Sequence, residues 1–157
     1  MRLFIYTFVA VANLVLLDQA VKHWAIVHFD CGRLPPAEVV DGFWSMVYVE
    51  NRGAAWGMFQ GAVWPLAVFA VAALALLLWR RKDFFAPGWT GALCEVLLYA
   101  GLVGNLFDRV FRGCVIDMFD FHFRGWYFPV FNVADIFITF AAFLLIATSF
   151  RKDGDGR

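Results

Sequence analysis

Two aspartates in this chain could perform peptide-bond hydrolysis without metal or cofactor: Asp117, in Val115–Phe123, and Asp135, in the stretch FNVAD. Carboxylates within hydrogen-bond reach cannot both ionise cheaply, so such a pair shares one proton. The ionised member can take a proton from a water, and the protonated one can give its own to a carbonyl oxygen. Asn132 and Asp135 also have the spacing of a helix start, with Asn132 as cap and Asp135 in the first turn. Capping alone would explain both residues. Asp117 makes the catalytic reading worth holding, because it precedes Asp135 by one short connection. That connection is expected to be a loop with little core around Asp117, and Asp120 is its nearby rival.

Further polar residues stand where lipid or a dry core would penalise them. Asp18 and Lys22 are four apart, on one face of a helix. They could form a self-contained ion pair, or they could support neighbouring polar groups or a substrate. Gly101, Asn105, Asp108 and Arg109 fall at helical spacing on one stripe, which reads as a polar helix–helix seam or as part of a site. Gly101 would let another helix approach closely. Glu95 is a rival intramembrane carboxylate, read as snorkelling or paired. Cys31, Cys94 and Cys114 show no metal-ligand spacing and are assigned a structural role; nothing in the sequence pairs Cys31 with Cys114.

The elements that must position these residues are apolar. Of 157 residues, 62% are hydrophobic and only 17% charged, more apolar than a soluble domain of this size can bury. The net charge is zero, which argues against nucleic acid as a partner. Four runs, about 3–26, 62–79, 89–107 and 133–150, read as membrane-crossing helices, since roughly 20 residues at 1.5 Å each cross a ~30 Å layer. The first lacks a cleavage site and reads as a retained anchor. The expectation is an all-α membrane protein, one integral domain over 1–157, with outer segments 27–61 and 108–132. Residues 43–50 suggest a small β-rich element at the outer interface.

Basic residues set the orientation. Arg2, Arg80, Arg81, Lys82, Arg151, Lys152 and Arg157 lie on one side, against Lys22, Arg33, Arg52, Arg109, Arg112 and Arg124 spread over longer segments. Their density places both termini in the cytoplasm. The final KDGDGR reads as a frayed end. A transporter using Asp18, Glu95, Asp108 and Asp135 as a relay, or a lipid-binding scaffold without chemistry, are the competing readings.

Five blocks in order resemble those of the lipoprotein signal peptidase (signal peptidase II) family. They are LDQAVK with Asp18 and Lys22, and NRGAAWG with Asn51, Gly53, Ala54 and Ala55. Then come Gly101, Asn105, Asp108 and Arg109; VIDMF with Asp117; and FNVAD with Asn132, Ala134 and Asp135. Arg52 and Trp56 depart from the family's usual residues. The resemblance makes Asp117 the catalytic partner of Asp135 rather than Asp120, with the other matched positions in substrate-binding or supporting roles. It implies a bacterial inner-membrane aspartyl endopeptidase that cuts diacylglyceryl-modified prolipoproteins just before the lipidated cysteine, near the outer face. No cofactor is implied. Expected partners are those substrates, membrane lipids and cyclic peptide antibiotics of the globomycin type, acting on a monomer.

Overall fold

In a computed structural model of the chain, residues 2–154 are described. Met1 and residues 155–157 lie outside them, as do the side chains of Arg2, Arg151 and Lys152, so four of the basic residues that set the orientation, and part of the terminal KDGDGR, lie outside the described residues. Among the described residues, five α-helices, two short 3-10 turns and four strands follow in order. Helix α1 is Arg2–His28; strands β1 and β2 are Ala37–Val40 and Trp44–Asn51; α2 is Val63–Trp79 and α3 the short Arg81–Phe84. Helix α4 is Trp89–Phe111, β3 is Val115–Phe123, β4 is Trp126–Tyr127, and α5 is Val133–Gly154.

The small β-rich element expected around 43–50 is present as β2, and it is larger than expected: both outer segments contribute to a four-stranded antiparallel sheet in the order β1-β2-β3-β4. Asp117 is therefore not on a loop. It sits in β3 opposite Val49 and is 1% exposed. Val115–Phe123 forms a strand because its apolar and β-branched residues pair with the aromatic-rich β2, Trp44 lying opposite Phe121 and stacking on its ring. Helix α4 runs past the expected end at 107, so Asp108 and Arg109 are helical rather than part of the outer segment.

Four spans were expected. Among the described residues two helices are long and apolar enough to cross a membrane, Ile5–His28 and Trp89–Phe111. The apolar helices Val63–Trp79 and Val133–Thr148 are shorter.

Polarity runs opposite to that of a soluble domain. Large apolar side chains point outward, among them Phe8, Leu16, Phe143, Phe69 at 71% exposure and Trp79 at 79%. The interior holds Asp18, Lys22, Glu95, Asn105, Asp108, Asp117 and Asn132, all buried. Lipid is the solvent that suits such a surface.

Close backbone approach makes the polar interior possible. A Cβ on Gly101 would lie 2.5 Å from the carbonyl oxygen of Ala134 and from Cγ1 of Ile138; one on Gly104 would lie 2.6 Å from Oδ2 of Asp18. These two glycines bring α4 against α5 and α1, so short polar side chains from three helices can meet.

Candidate active site

The start of α5 is a reciprocal cap. The backbone N–H of Asp135 donates to Oδ1 of Asn132 (3.0 Å), and the N–H of Asn132 donates back to Oδ2 of Asp135 (3.2 Å). Capping and site geometry thus coexist, because the Asn132 amide nitrogen remains free to reach elsewhere. It donates to Oδ1 of Asp117 at 2.6 Å and to Oδ1 of Asn105 at 3.1 Å. Asn105 in turn donates to Oδ1 of Asp135 at 2.8 Å. Two amides therefore connect the carboxylates from β3 and α5.

Asn51, the last residue of β2, donates to Oδ2 of Asp117 at 3.0 Å, while its own oxygen accepts the N–H of Gly53 (2.9 Å). Arg109 donates to the Gly53 carbonyl at 3.2 Å, tying the loop after β2 to α4. Ala54 and Ala55 line the cavity beside this loop. The glycine is required here, since a Cβ at Gly53 would stand 2.5 Å from the carbonyl oxygen of Met58.

Behind the amides lies a charged lock. Lys22 contacts Oδ2 of Asp18 at 2.9 Å and Oδ2 of Asp108 at 2.8 Å, and donates to Oδ1 of Asn105 at 3.1 Å. All three ionic side chains are fully buried. The Asp18–Lys22 pair is thus not self-contained; it reaches Asp108 and the Asn105 amide that holds Asp135. Asp18 accepts the N–H of Ala134 (2.9 Å), and Asp108 accepts that of Ile116 (3.2 Å), so the lock grips both strands of chain carrying the aspartates.

Sequence reasoning missed Gln19 and Arg112. Gln19 donates to Asp18 and Asp108, and Arg112 to Gln19 (2.6 Å) and Asp108. The i,i+4 spacing of Arg112 from Asp108 was the available signal. With Arg112 included, two cations meet two carboxylates and the cluster is neutral.

Asp117 and Asp135 line one cavity of about 450 Å³ with Asn51, Asn105 and Arg109, continued by the apolar Val130, Ile136, Ile138 and Phe140. A second, more polar cavity of about 560 Å³ also meets Asp117 and shares Asn51 and Phe128 with the first, adding Glu50, Gln60, Asp120 and Tyr127. Asp120 pairs with Ser45 in register, approaches His122 at 3.6 Å and does not line the cavity that holds Asp135. Burial, and then the charge of Asp135, push the Asp117 carboxyl up to about 7; the amides of Asn51 and Asn132 and the charge of Lys22 pull the other way. A carboxyl of that strength is about half protonated at neutrality, so both of its protonation states are populated there.

Glu95 takes no part. It is buried in α4, where Arg81 binds it through Nε and through Nη2 (2.6 Å to Oε2), so the paired reading holds. Cys31 and Cys114 are both free. Among the described residues, no cluster of three or more His, Cys, Asp or Glu could hold a metal ion.

Known proteins resemble the chain throughout. Residues 10–151 match the family model described as signal peptidase (SPase) II. The lipoprotein signal peptidase of Fusobacterium nucleatum subsp. nucleatum is 36% identical over 134 residues, covering 85% of this chain and 79% of that protein. That of Clostridium acetobutylicum is 32% identical over 145 residues, covering 89% and 93%. A solved structure described as a bacterial membrane enzyme superposes with a TM-score of 0.85 at 27% identity, covering 97% of this chain and 92% of the other. A second, described in the same words, gives 0.77 at 29% identity, with 91% of each covered.

Proposed function

The chain belongs to the signal peptidase II family of aspartic peptidases, and from that premise we propose that Asp117 and Asp135 are its catalytic pair. The reaction is removal of the signal peptide from prolipoproteins during lipoprotein maturation. The observation that carries the catalytic assignment is the shared cavity in which two amides hold both carboxylates.

One proton resides on the pair, and a water lies between the two carboxyl groups. The ionised carboxylate takes a proton from that water as its oxygen attacks the scissile carbonyl carbon. The protonated carboxyl gives its proton to the carbonyl oxygen, forming a tetrahedral diol. Collapse of the diol breaks the C–N bond, and the nitrogen leaves with a proton from the acid–base pair. Asn51 and Asn132 orient Asp117, and Asn105 with the Asn132 backbone orients Asp135. Lys22 fixes which way the Asn105 amide faces, because its ammonium can only meet the oxygen end.

The substrate carries a diacylglyceryl group on the cysteine just after the cut. The apolar wall at Ile136, Ile138 and Phe140 suits a lipid-borne peptide, and the polar cavity suits the chain leading away from it. The protein is one integral domain in the bacterial inner membrane. Its four helices α1, α2, α4 and α5 cross the bilayer, with both termini cytoplasmic and the sheet at the outer face. Helix α2, with 17 residues, spans about 25 Å at 1.5 Å per residue, short for a ~30 Å layer but within the observed range. The enzyme acts as a monomer, and cyclic peptides of the globomycin type compete for the cavity.

The test uses purified protein with diacylglyceryl-modified and unmodified prolipoprotein peptides. Wild type is expected to cut the modified peptide alone. Asp117→Asn and Asp135→Asn should each abolish cleavage while the protein still folds, and Asp120→Asn should retain it. Substantial turnover by either of the first two variants would overturn the assignment.

A further inference from the structure

The end of the molecule away from the aspartates carries two cavities that no step of the reaction uses. One is a groove of about 660 Å³ between α1, α2 and α4, bounded by Val11, Ala12 and Val15, by Leu74 and Leu78, and by Val103. Its lining is almost wholly apolar, yet Arg81, Glu95 and the hydroxyl-bearing Tyr99 close one end. The other cavity, about 500 Å³, lies across the same Arg81–Glu95 pair and is lined by Lys82, Gly88 and Trp89. Both cavities therefore share one charged wall.

We infer that this pair of cavities is a binding site for an anionic phospholipid, with the headgroup phosphate at Arg81 and Lys82 and one acyl chain in the groove.

Four observations meet there. The charge is right: Glu95 occupies Nε and Nη2 of Arg81, leaving Nη1 to face a ligand, and Lys82 is exposed beside it. The second cavity also opens on the first turn of the 23-residue α4, whose start at Gly88 has no side-chain cap. Uncapped helix amides favour an anion. The length is right as well. From Thr7 to Leu16 the groove follows α1 for about 13 Å at 1.5 Å per residue, close to half of a ~30 Å hydrocarbon layer. Finally, the Tyr99 side chain, 7% exposed, borders the groove beside the Glu95 carboxylate, so the polar groups of this wall are gathered where a headgroup would meet the apolar groove. The inference requires only that the helices sit in a bilayer and is independent of the catalytic assignment.

Full-length protein is reconstituted into phosphatidylcholine vesicles with and without phosphatidylglycerol. Melting temperature and lipid retained in native mass spectrometry are read for wild type, Lys82→Gln and Ala12→Phe. Wild type should melt higher with phosphatidylglycerol and retain it over phosphatidylcholine. Lys82→Gln should lower that preference about fivefold, the worth of one basic side chain at an anionic surface. Ala12→Phe, which narrows the groove and leaves the charges in place, should lose the retained lipid while melting near wild type in phosphatidylcholine alone. Equal melting and retention with the two lipids would overturn the site. So would a phosphatidylglycerol effect that survives in both variants, since that would be a general surface-charge effect.

Discussion

Asp117 gives the chain a stability that depends on pH in a calculable direction. Its carboxyl gives up its proton at about pH 7 in the folded protein, against 3.8 for an ordinary aspartate. A proton held more tightly when folded stabilises fully below the unfolded value and is lost as pH rises through the folded one. Integrated over both limits, the change is about 4 kcal/mol, of which about 3 kcal/mol falls between pH 5 and pH 9. For a chain of this length that corresponds to roughly 6–12 °C in melting temperature. Asp117→Asn removes the ionisation but also turns an N–H₂ toward one of two amides, Asn51 or Asn132, that now donate to the carboxylate. That mismatch costs about 1–3 kcal/mol at any pH. The variant should therefore melt below wild type at pH 5 and lose much less than wild type by pH 9, so that the two curves converge or cross. Detergent-solubilised protein followed by a thermal unfolding assay across this range is sufficient. Parallel curves for the two proteins would refute the account of Asp117.

Lys22→Met leaves Asp18 and Asp108 buried without the cation between them and should cost about 3–5 kcal/mol, read as a fall in melting temperature; adding Asp18→Asn should recover part of it. Gly101→Ala forces a methyl group to within 2.5 Å of the Ala134 carbonyl oxygen and should cost about 1–3 kcal/mol, with cleavage reduced because the α5 start shifts with it. Asn132→Ala should cost about 1 kcal/mol as a lost cap. It should also move the upper limb of the pH–kcat/KM profile to higher pH, because the lost amide favoured the ionised form of Asp117. Wild-type cleavage should itself decline as pH rises through about 7, when the pair gives up its shared proton; a profile flat to pH 9 would contradict this.

Helix spacing made much of this arrangement legible. The i,i+4 relation of Asp18 and Lys22 and the stripe Gly101–Asn105–Asp108 specify side chains on single faces, and those faces meet where expected. The setting of Asp117 was not legible, because a strand in a small sheet is defined by its partner. Asp117 lies buried because β2, over 60 residues earlier in the chain, pairs with β3. Partnership across the chain also hid the role of Glu95, whose cation, Arg81, comes from α3 rather than from its own helix. Gln19 went unnoticed for the opposite reason. A neutral side chain next to Asp18 looks unremarkable until Asp108 and Arg112 arrive on both sides of it.

The Lys22 lock also bears on how the molecule is made. Helix α1 leaves the ribosome before α4 and α5, and its aspartate and lysine can neutralise one another until those helices arrive. Asp108 and Arg112 come some ninety residues later, and Ala134, whose amide completes Asp18, later still. Until then the nascent chain carries a dipolar pair in lipid with spare hydrogen-bonding capacity. That unmet capacity favours docking of the later helices on α1, so polar contacts help to direct assembly, and a chain truncated before α5 would leave Asp18 short of one of its donors.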